Sequence, residues 1–274
     1  MRTKKPNTDA TPEGNTSDAR ESSLFVGSVA KAFQVLEAFR DTHREMSLAE
    51  IARAAQLDRS ATQRIIYTLE NLHYIRRLPN SNTYTLAPEV LRLSYNYLRS
   101  QRIIDRASPY LVEMTHVLGE TSNLQQLDGY EIVFIARIPG RHLFSSDFTI
   151  GSRLPAVYSA SGRAMLSRLD EAERWRLIQA TPIEQITAQT DTDPELLMRL
   201  IEQAGKDGYA IVQNQTVIGD ISVGAAITGQ GGVPIGAINI SVPSTRWNAN
   251  KVEAELLPHV LLAATSISKI LDNF

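Results

Sequence analysis

The chain has 274 residues, 43% of them hydrophobic, and a formal net charge of −2, the balance of an ordinary folded protein of one or two domains. It contains no cysteine, which excludes disulfides, thiol catalysis and cysteine-ligated metal; His43, His73, His116, His142 and His259 fall in no ligand spacing, so neither a metal nor a cofactor is expected. No unbroken apolar run reaches the ~18 residues of a membrane span, and the basic start is followed by Pro6 and polar residues instead of an apolar signal core, so a cytoplasmic protein without membrane contact is expected.

Residues 1–22 are rich in Ser, Thr, Asn, Pro and charge and nearly devoid of large apolar side chains, the composition of a disordered tail. Charge is divided unequally beyond it: residues 24–99 carry 10 Lys and Arg against 7 Asp and Glu, and residues 100–274 carry 14 against 19. A basic front and an acidic remainder are expected where only one part meets phosphate. The run from Val29 to Phe39 is helical, with Val29, Ala32, Leu36 and Phe39 on one seam and Phe33 and Val35 directed elsewhere. Its two apolar faces suit packing on its own domain and on a second copy of the chain.

From Met46 to Tyr84 the pattern is that of a helix-turn-helix followed by a small hairpin. Ser47-Leu48-Ala49-Glu50 is a capping box, so a short helix starts at Ala49 or one residue earlier and closes by Leu57. Asp58 is a candidate N-cap for the next helix, on which Thr62, Ile65, Ile66, Leu69 and Leu72 form a buried stripe. Arg59, Ser60, Gln63, Arg64 and Tyr67 are left outward in its first turns, and these side chains suit base edges and phosphates: Arg to guanine, Gln to adenine, Ser and Tyr to phosphate or a base edge. Pro79-Asn80-Ser81-Asn82 separates two strand-like runs, a wing that would carry Arg76 and Arg77 to the backbone or minor groove. Ser47 at the cap and Tyr84 in the second wing strand complete the candidate DNA-binding set. The plainer alternative is a packing unit whose outward Arg and Gln are ordinary surface.

The runs Met46 to Ala52, Leu57 to Ser60 and Leu69 to Ile75 resemble the DNA-binding domain of the IclR family of bacterial transcriptional regulators, with His73 standing where the family has glycine. Histidine can still visit the left-handed region such a helix end requires. The resemblance implies double-stranded DNA with a pseudo-palindromic operator as partner, and a first helix that helps dimerise the DNA-binding domains. A homodimer, or a dimer of dimers, is expected.

Pro88 opens a helix through Arg99, which in the family joins reader to sensor, and a boundary near Ser100 is expected. Beyond it the sequence predicts a helix from Asp105 to Leu118, strands at 121–127 and 131–137 around an Asp128-Gly129 turn, strands at 209–212, 221–227 and 235–242, and helices near 160–168, 170–180, 193–207 and 250–272. Thr228 to Pro234 is read as a hairpin turn, since it opens no helix and lacks the phosphate-loop fingerprints. The fold class is α+β: a winged helix-turn-helix at 23–87, a linker helix at 88–100, and at 101–274 an antiparallel sheet with packed helices, which resembles the GAF-like IclR effector domain. The run Arg137 to Arg141 through Pro155 is most similar to the subgroup controlling aromatic-acid catabolism.

A small organic acid, aromatic rather than very small, is the expected effector. The amides of Ala160, Ser161 and Gly162 open a helix and would stabilise a carboxylate without any lysine or buried acidic group. Asn239 and Ser241 alternate with Ile238, Ile240 and Val242 and so share one face; the alternative is that they lie on the solvated side of an edge strand. The resemblance implies that these two, with Ser222, Val212 and Tyr158, line the effector pocket, although Val212, Ser222 and Tyr158 stand where relatives often have Asp, Cys and His. An enzyme is the rival function, but the Gly-x-Ser-x-Gly elbow fails around Ser161, where positions 159 and 163 are Ser and Arg. A DNA-binding protein that senses nothing is a second rival, poorly matched to about 170 residues of separate domain.

Overall fold

The structure, a computed structural model, describes residues 22–39, 45–141 and 148–272; the expected disordered tail, His43 and His142 lie outside them, apart from Ser22. The chain divides into two compact units between Tyr97 and Leu98.

In the first unit, α1 (Gly27–Glu37), α2 (Leu48–Ala54) and α3 (Arg59–Asn71) pack with a small antiparallel sheet of β1 (Met46–Ser47), β2 (Ile75–Arg77) and β3 (Thr83–Leu86), ordered β1-β3-β2. The capping box forms: the Ser47 amide and hydroxyl each donate to Glu50 Oε2 at 2.7 Å, while the Glu50 amide donates back to Ser47 Oγ at 3.4 Å. Val35, Met46, Ile51, Ile66, Leu69 and Ile75 make the buried core. Two sequence expectations are corrected here. The Val29 seam, a candidate for pairing with a second copy, is divided: Leu36 and Phe39 pack beside the fully buried Val35, whereas Val29 is 52% exposed. Leu72 is 55% exposed because helical geometry stops at Asn71, and the chain turns away at His73, whose φ is +65°. Histidine thus takes the left-handed position itself.

The helix α4 (Val90–Ser100) follows, with none of its side chains buried.

The second unit opens with α5 (Arg102–Leu118), ended by Gly119 at φ +74°. Next come β4 (Thr121–Asp128), β5 (Glu131–Ile138) and β6 (Arg153–Pro155), a 3-10 turn Ala156–Tyr158, then α6 (Ala160–Leu166), α7 (Glu171–Ala180) and α8 (Pro194–Asp207). The strands β7 (Ala210–Gln213), β8 (Asp220–Thr228) and β9 (Pro234–Pro243) complete one six-stranded antiparallel sheet, ordered β6-β5-β4-β9-β8-β7. The chain ends in a helix of three segments, α9 (Ala249–Lys251), a π turn Val252–Leu256 and α10 (Leu257–Asp272).

Strand alternation gives the sheet two apolar faces. On one, Leu124, Ile135, Val223, Ile238 and Ile240 meet α5 and the C-terminal helix through Leu111, Val260 and Ile267. The helix over residues 249–271 holds an 18-residue window of mean hydropathy 1.3, long and apolar enough to cross a membrane by composition, which corrects the reading of the sequence. Its Val252, Leu256, Val260 and Ile267 are spent on the sheet core.

The other face carries α6, and glycine is required twice, once where α6 meets the preceding 3-10 turn and once where it meets the sheet. A Cβ on Gly162 would stand 2.1 Å from the Ala156 carbonyl oxygen, and one on Gly224 of β8 would stand 2.9 Å from the Ser161 nitrogen. Outside α6, the helices α7 and α8 contribute Leu177, Ile178, Leu197 and Ile201 to a second core.

Candidate functional site

The first candidate surface is the start of α3. Asp58 caps it, accepting from the Ala61 amide and the Ser60 hydroxyl at 2.8 Å each, and those donors hold its carboxyl below the usual range. On the opposite side the Thr62 hydroxyl is buried, donating to the Asp58 carbonyl at 2.9 Å. Rotation by 100° per residue then leaves Arg59, Ser60, Gln63, Arg64 and Tyr67 all exposed, Tyr67 at 69%. In the wing, Arg76 and Arg77 are both exposed. The Arg77 guanidinium bonds Asn82 Oδ1 and the Ser81 carbonyl, so it is held across the turn.

Two members of the expected set have structural duties. Ser47 has its amide and hydroxyl engaged by Glu50, and Tyr84, paired in register with both Met46 and Arg77, packs half-buried against the core.

The second candidate is a cavity in the other unit, on the face of the sheet that carries α6. Its volume is about 30 Å³, room for a water or two. Of the expected residues it gathers Tyr158, Val212, Ser222, Asn239 and Ser241. Asn239 is 6% exposed, so it does not lie on a solvated face.

The three amides of α6 are a correction. The Gly162 amide is taken by the Ser159 hydroxyl at 2.9 Å, the Ser161 hydroxyl donates to Gln125 Oε1, and the backbone at Ala160 and Ser161 is pressed on Gly224. Ala160, Ser161 and Gly162 are all buried, and none of them is among the residues lining the cavity. Ser159, the cap, lines it instead.

The expected site needed no lysine and no buried acidic group, yet charged side chains line the cavity. Arg137 of β5 and Asp220 of β8 both line the cavity. Register explains how they meet. Arg137 stands opposite Asn123, and Asn123 opposite Asn239, so these side chains share one face of three adjacent strands. Arg137 Nη1 donates to Asn123 Oδ1 at 2.9 Å, Asn123 Nδ2 to Asn239 Oδ1 at 2.9 Å, and Asn239 Nδ2 to Ser222 Oγ at 2.6 Å. A polar row therefore crosses four strands.

The Ser241 hydroxyl donates to Asp220 Oδ1 beside that row. Burial pushes the Asp220 carboxyl up to about 6, against the Ser241 hydrogen bond and the positive charge of Arg137. Burial likewise lowers the Arg137 guanidinium, opposed by the charge of Asp220. Phe134 and Phe148, stacked with centroids 5.3 Å apart, and Leu154 form the apolar wall.

Asn123, Arg137 and Asp220 were missed in the sequence, although Asn123 and Asp220 each carried a local signal. Asn123 and Gln125 share a face by strand alternation, and Asp220 stands two residues before Ser222.

The model described as IclR helix-turn-helix domain matches residues 28–79, and that of the bacterial transcriptional regulator IclR C-terminal domain matches residues 95–269. The chain belongs to the IclR family. This IclR-family regulator is 31% identical over 242 residues to the Pca regulon regulatory protein of Pseudomonas putida, covering 88% of this chain and 82% of that one. A crystal structure from Rhodococcus sp. RHA1, described as a transcriptional regulator, superposes with a TM-score of 0.79 at 31% identity and covers 91% of this chain and 99% of that one. An IclR homologue from Microbacterium hydrocarbonoxydans complexed with 4-hydroxybenzoate shares the fold, with a TM-score of 0.75 at 22% identity, covering 90% of this chain and all of that one. The protein is thus a DNA-binding transcriptional regulator with a C-terminal effector-binding domain, and not an enzyme.

Proposed function

We propose that this regulator, acting in the cytoplasm as a homodimer, reads a pseudo-palindromic operator through α3 and the wing, and that a small aromatic acid in the sheet cavity sets its hold on that operator. Residues 23–87 act as reader, 88–100 as linker and 101–274 as sensor. The observation that carries the sensor reading is Arg137: a guanidinium lining a small cavity walled by Phe134, Phe148 and Leu154 matches a carboxylate attached to a ring. The polar row from Asn123 through Asn239 to Ser222, with Tyr158, Val212 and Ser241, orients the rest of the molecule. Two likenesses support an aromatic acid: the resemblance of the run from Arg137 to Pro155 to the subgroup controlling aromatic-acid catabolism, and the 4-hydroxybenzoate held by a protein of the same fold.

A cavity of about 30 Å³ does not accept a ring as it stands, so its lining must move on binding. That movement provides two conformations with different affinities for the acid, which is what a switch requires; a coupling of roughly 1–3 kcal/mol suffices.

For operator reading, Arg59, Gln63 and Arg64 contact base edges, Ser60 and Tyr67 contact phosphate or a base edge, and Arg76 and Arg77 contact the backbone. Useful specificity needs two such helices, and the exposed apolar side chains Val26, Val29 and Phe33 of the first helix and its entry supply a seam for a second copy.

The test is a footprint over the DNA upstream of the gene and of its neighbours, with and without benzoate, 4-hydroxybenzoate, phenylacetate and short keto acids. A protected pseudo-palindrome whose occupancy shifts with an aromatic acid is expected. Protection indifferent to every acid would leave a ligand-independent DNA-binding protein, and a response confined to neutral or cationic compounds would refute the cavity assignment.

A further inference from the structure

Arg137 and Asp220 are two partly buried charges of opposite sign lining one cavity, and their joint presence constrains what can enter. With Arg137 cationic and Asp220 anionic the pair sums to zero. A carboxylate arriving beside Arg137 would leave one uncompensated negative charge in a site walled by the buried Asn123, Gln125, Tyr158, Ser222 and Asn239, which is costly unless a proton compensates it. Asp220 is the group able to hold that proton. It is partly buried, lines the cavity together with Arg137, and has one oxygen engaged by the Ser241 hydroxyl. Among the lining residues the other titratable side chains are Arg137 from β5 and Tyr158 ahead of α6; the remaining strands and the 215–216 loop contribute amides, hydroxyls and apolar groups. Arg137 stays charged at any working pH, and burial holds the Tyr158 phenol neutral.

We infer that Asp220 balances the charge of the effector: a singly charged organic acid enters with its carboxylate on Arg137, and Asp220 takes up one proton from solvent and becomes a neutral hydrogen-bond donor. The ligand remains a carboxylate throughout and no other bond is made or broken. The uptake is inexpensive because the Asp220 carboxyl already titrates at about 6, so the free site lies only a pH unit or so from the protonated form at neutral pH. An anion near Asp220 raises that value further by like-charge repulsion. Binding and protonation are therefore linked, and affinity falls as pH rises over the range where the free site is ionised and the occupied site is not.

This inference rests on the cavity being the effector site, and the experiment separates the two. Calorimetric titration of the full-length protein with benzoate and with 4-hydroxybenzoate is run at pH 7.5 in phosphate and in Tris, whose ionisation enthalpies differ, and then from pH 6.5 to 8.5 in one buffer. Wild type is expected to take up close to one proton per acid bound, with affinity falling about tenfold per pH unit. Asp220→Asn, a neutral isostere, is expected to exchange no proton and to bind with an affinity independent of pH, at least as tight as wild type at pH 8.5. Binding of an acid to wild type without proton uptake, or a pH slope retained in Asp220→Asn, overturns the inference and leaves the effector site standing. Failure of both acids and of phenylacetate to bind wild type at any of these pH values overturns both.

Discussion

Asn123 and Asn239 face each other across the β4–β9 register and are joined by a 2.9 Å hydrogen bond, with both side chains buried. The bond is the middle of the row from Arg137 to Ser222, so each asparagine also serves a second partner. Removing Asn239 leaves the Asn123 amide donor and the Ser222 hydroxyl without it, and an orphaned buried polar group costs about 1–3 kcal/mol. Asn239→Ala is expected to lower the unfolding free energy by at least that much, read as a lower urea midpoint at an unchanged m-value. A double variant with Asn123→Ala should cost clearly less than the sum of the single changes, because the second change removes a group already stranded. Additive losses would show that the row is not one unit.

Asp220 predicts an unusual pH dependence of stability. Its folded-state carboxyl titrates at about 6, above the ordinary value of 3.8, so between those limits the native state holds a proton that the unfolded state has released. Stability from this group is therefore complete at low pH and falls as pH rises through the window from about 4 to 6, by roughly 3 kcal/mol in all. Asp220→Asn should be close to wild type near pH 4 and more stable than wild type at pH 7.5, less whatever the neutral amide loses in attraction to Arg137. Thermal melts at the two pH values check this, and a variant less stable at pH 7.5 would mean that Arg137 depends on Asp220 more than burial penalises it.

Much of this was legible because local rules decide it. Ser47 with Glu50, Asp58 before α3, and the Asp128-Gly129 turn are signals read within four residues, and each element formed where its signal lay. What escaped depends on partners distant in sequence. Val35 and Val29 are both apolar on a two-faced helix, and only the packing of α2 and α3 decides which is buried. The α6 amides looked available because a helix start offers donors; Ser159, one residue earlier, takes one, and Gly224, more than sixty residues later, closes over the others. Arg137 and Asp220 are separated by two intervening strands, so no local pattern joins them.

The first helix gives a prediction about assembly. Val29 and Phe33 are 52% and 50% exposed and stand four residues apart, hence on one face, while Leu36 and Phe39 are partly taken by the core. Phe33→Glu should preserve the fold by circular dichroism yet place a charge in the proposed seam, weakening occupancy of the full palindrome at least tenfold while binding to an isolated half-site falls much less. Leu36→Ala should instead lower the melting temperature. Equal full-site affinity for Phe33→Glu and wild type would exclude this face as the seam.

The DNA-reading helix supplies the last prediction, and the structure sharpens which side chains should matter. Arg59, Gln63 and Arg64 are exposed on the first two turns of α3, and a bidentate contact to a base is worth about 1–3 kcal/mol of discrimination. Replacing any of the three with Ala should cost that much on the operator and relax preference at one base-pair position, with little change on random DNA. Arg76→Ala should weaken both DNAs alike and reduce the slope of log affinity against log salt by about one, the signature of a lost phosphate contact. Ser47 behaves differently, because its hydroxyl and amide are committed to Glu50. Ser47→Ala should lower stability by about 1 kcal/mol through the lost cap, and any loss of DNA affinity should appear equally on operator and random sequence. Fluorescence anisotropy with both DNAs at three salt concentrations separates these outcomes. Unchanged base preference in all three helix variants would show that α3 is not the reading helix.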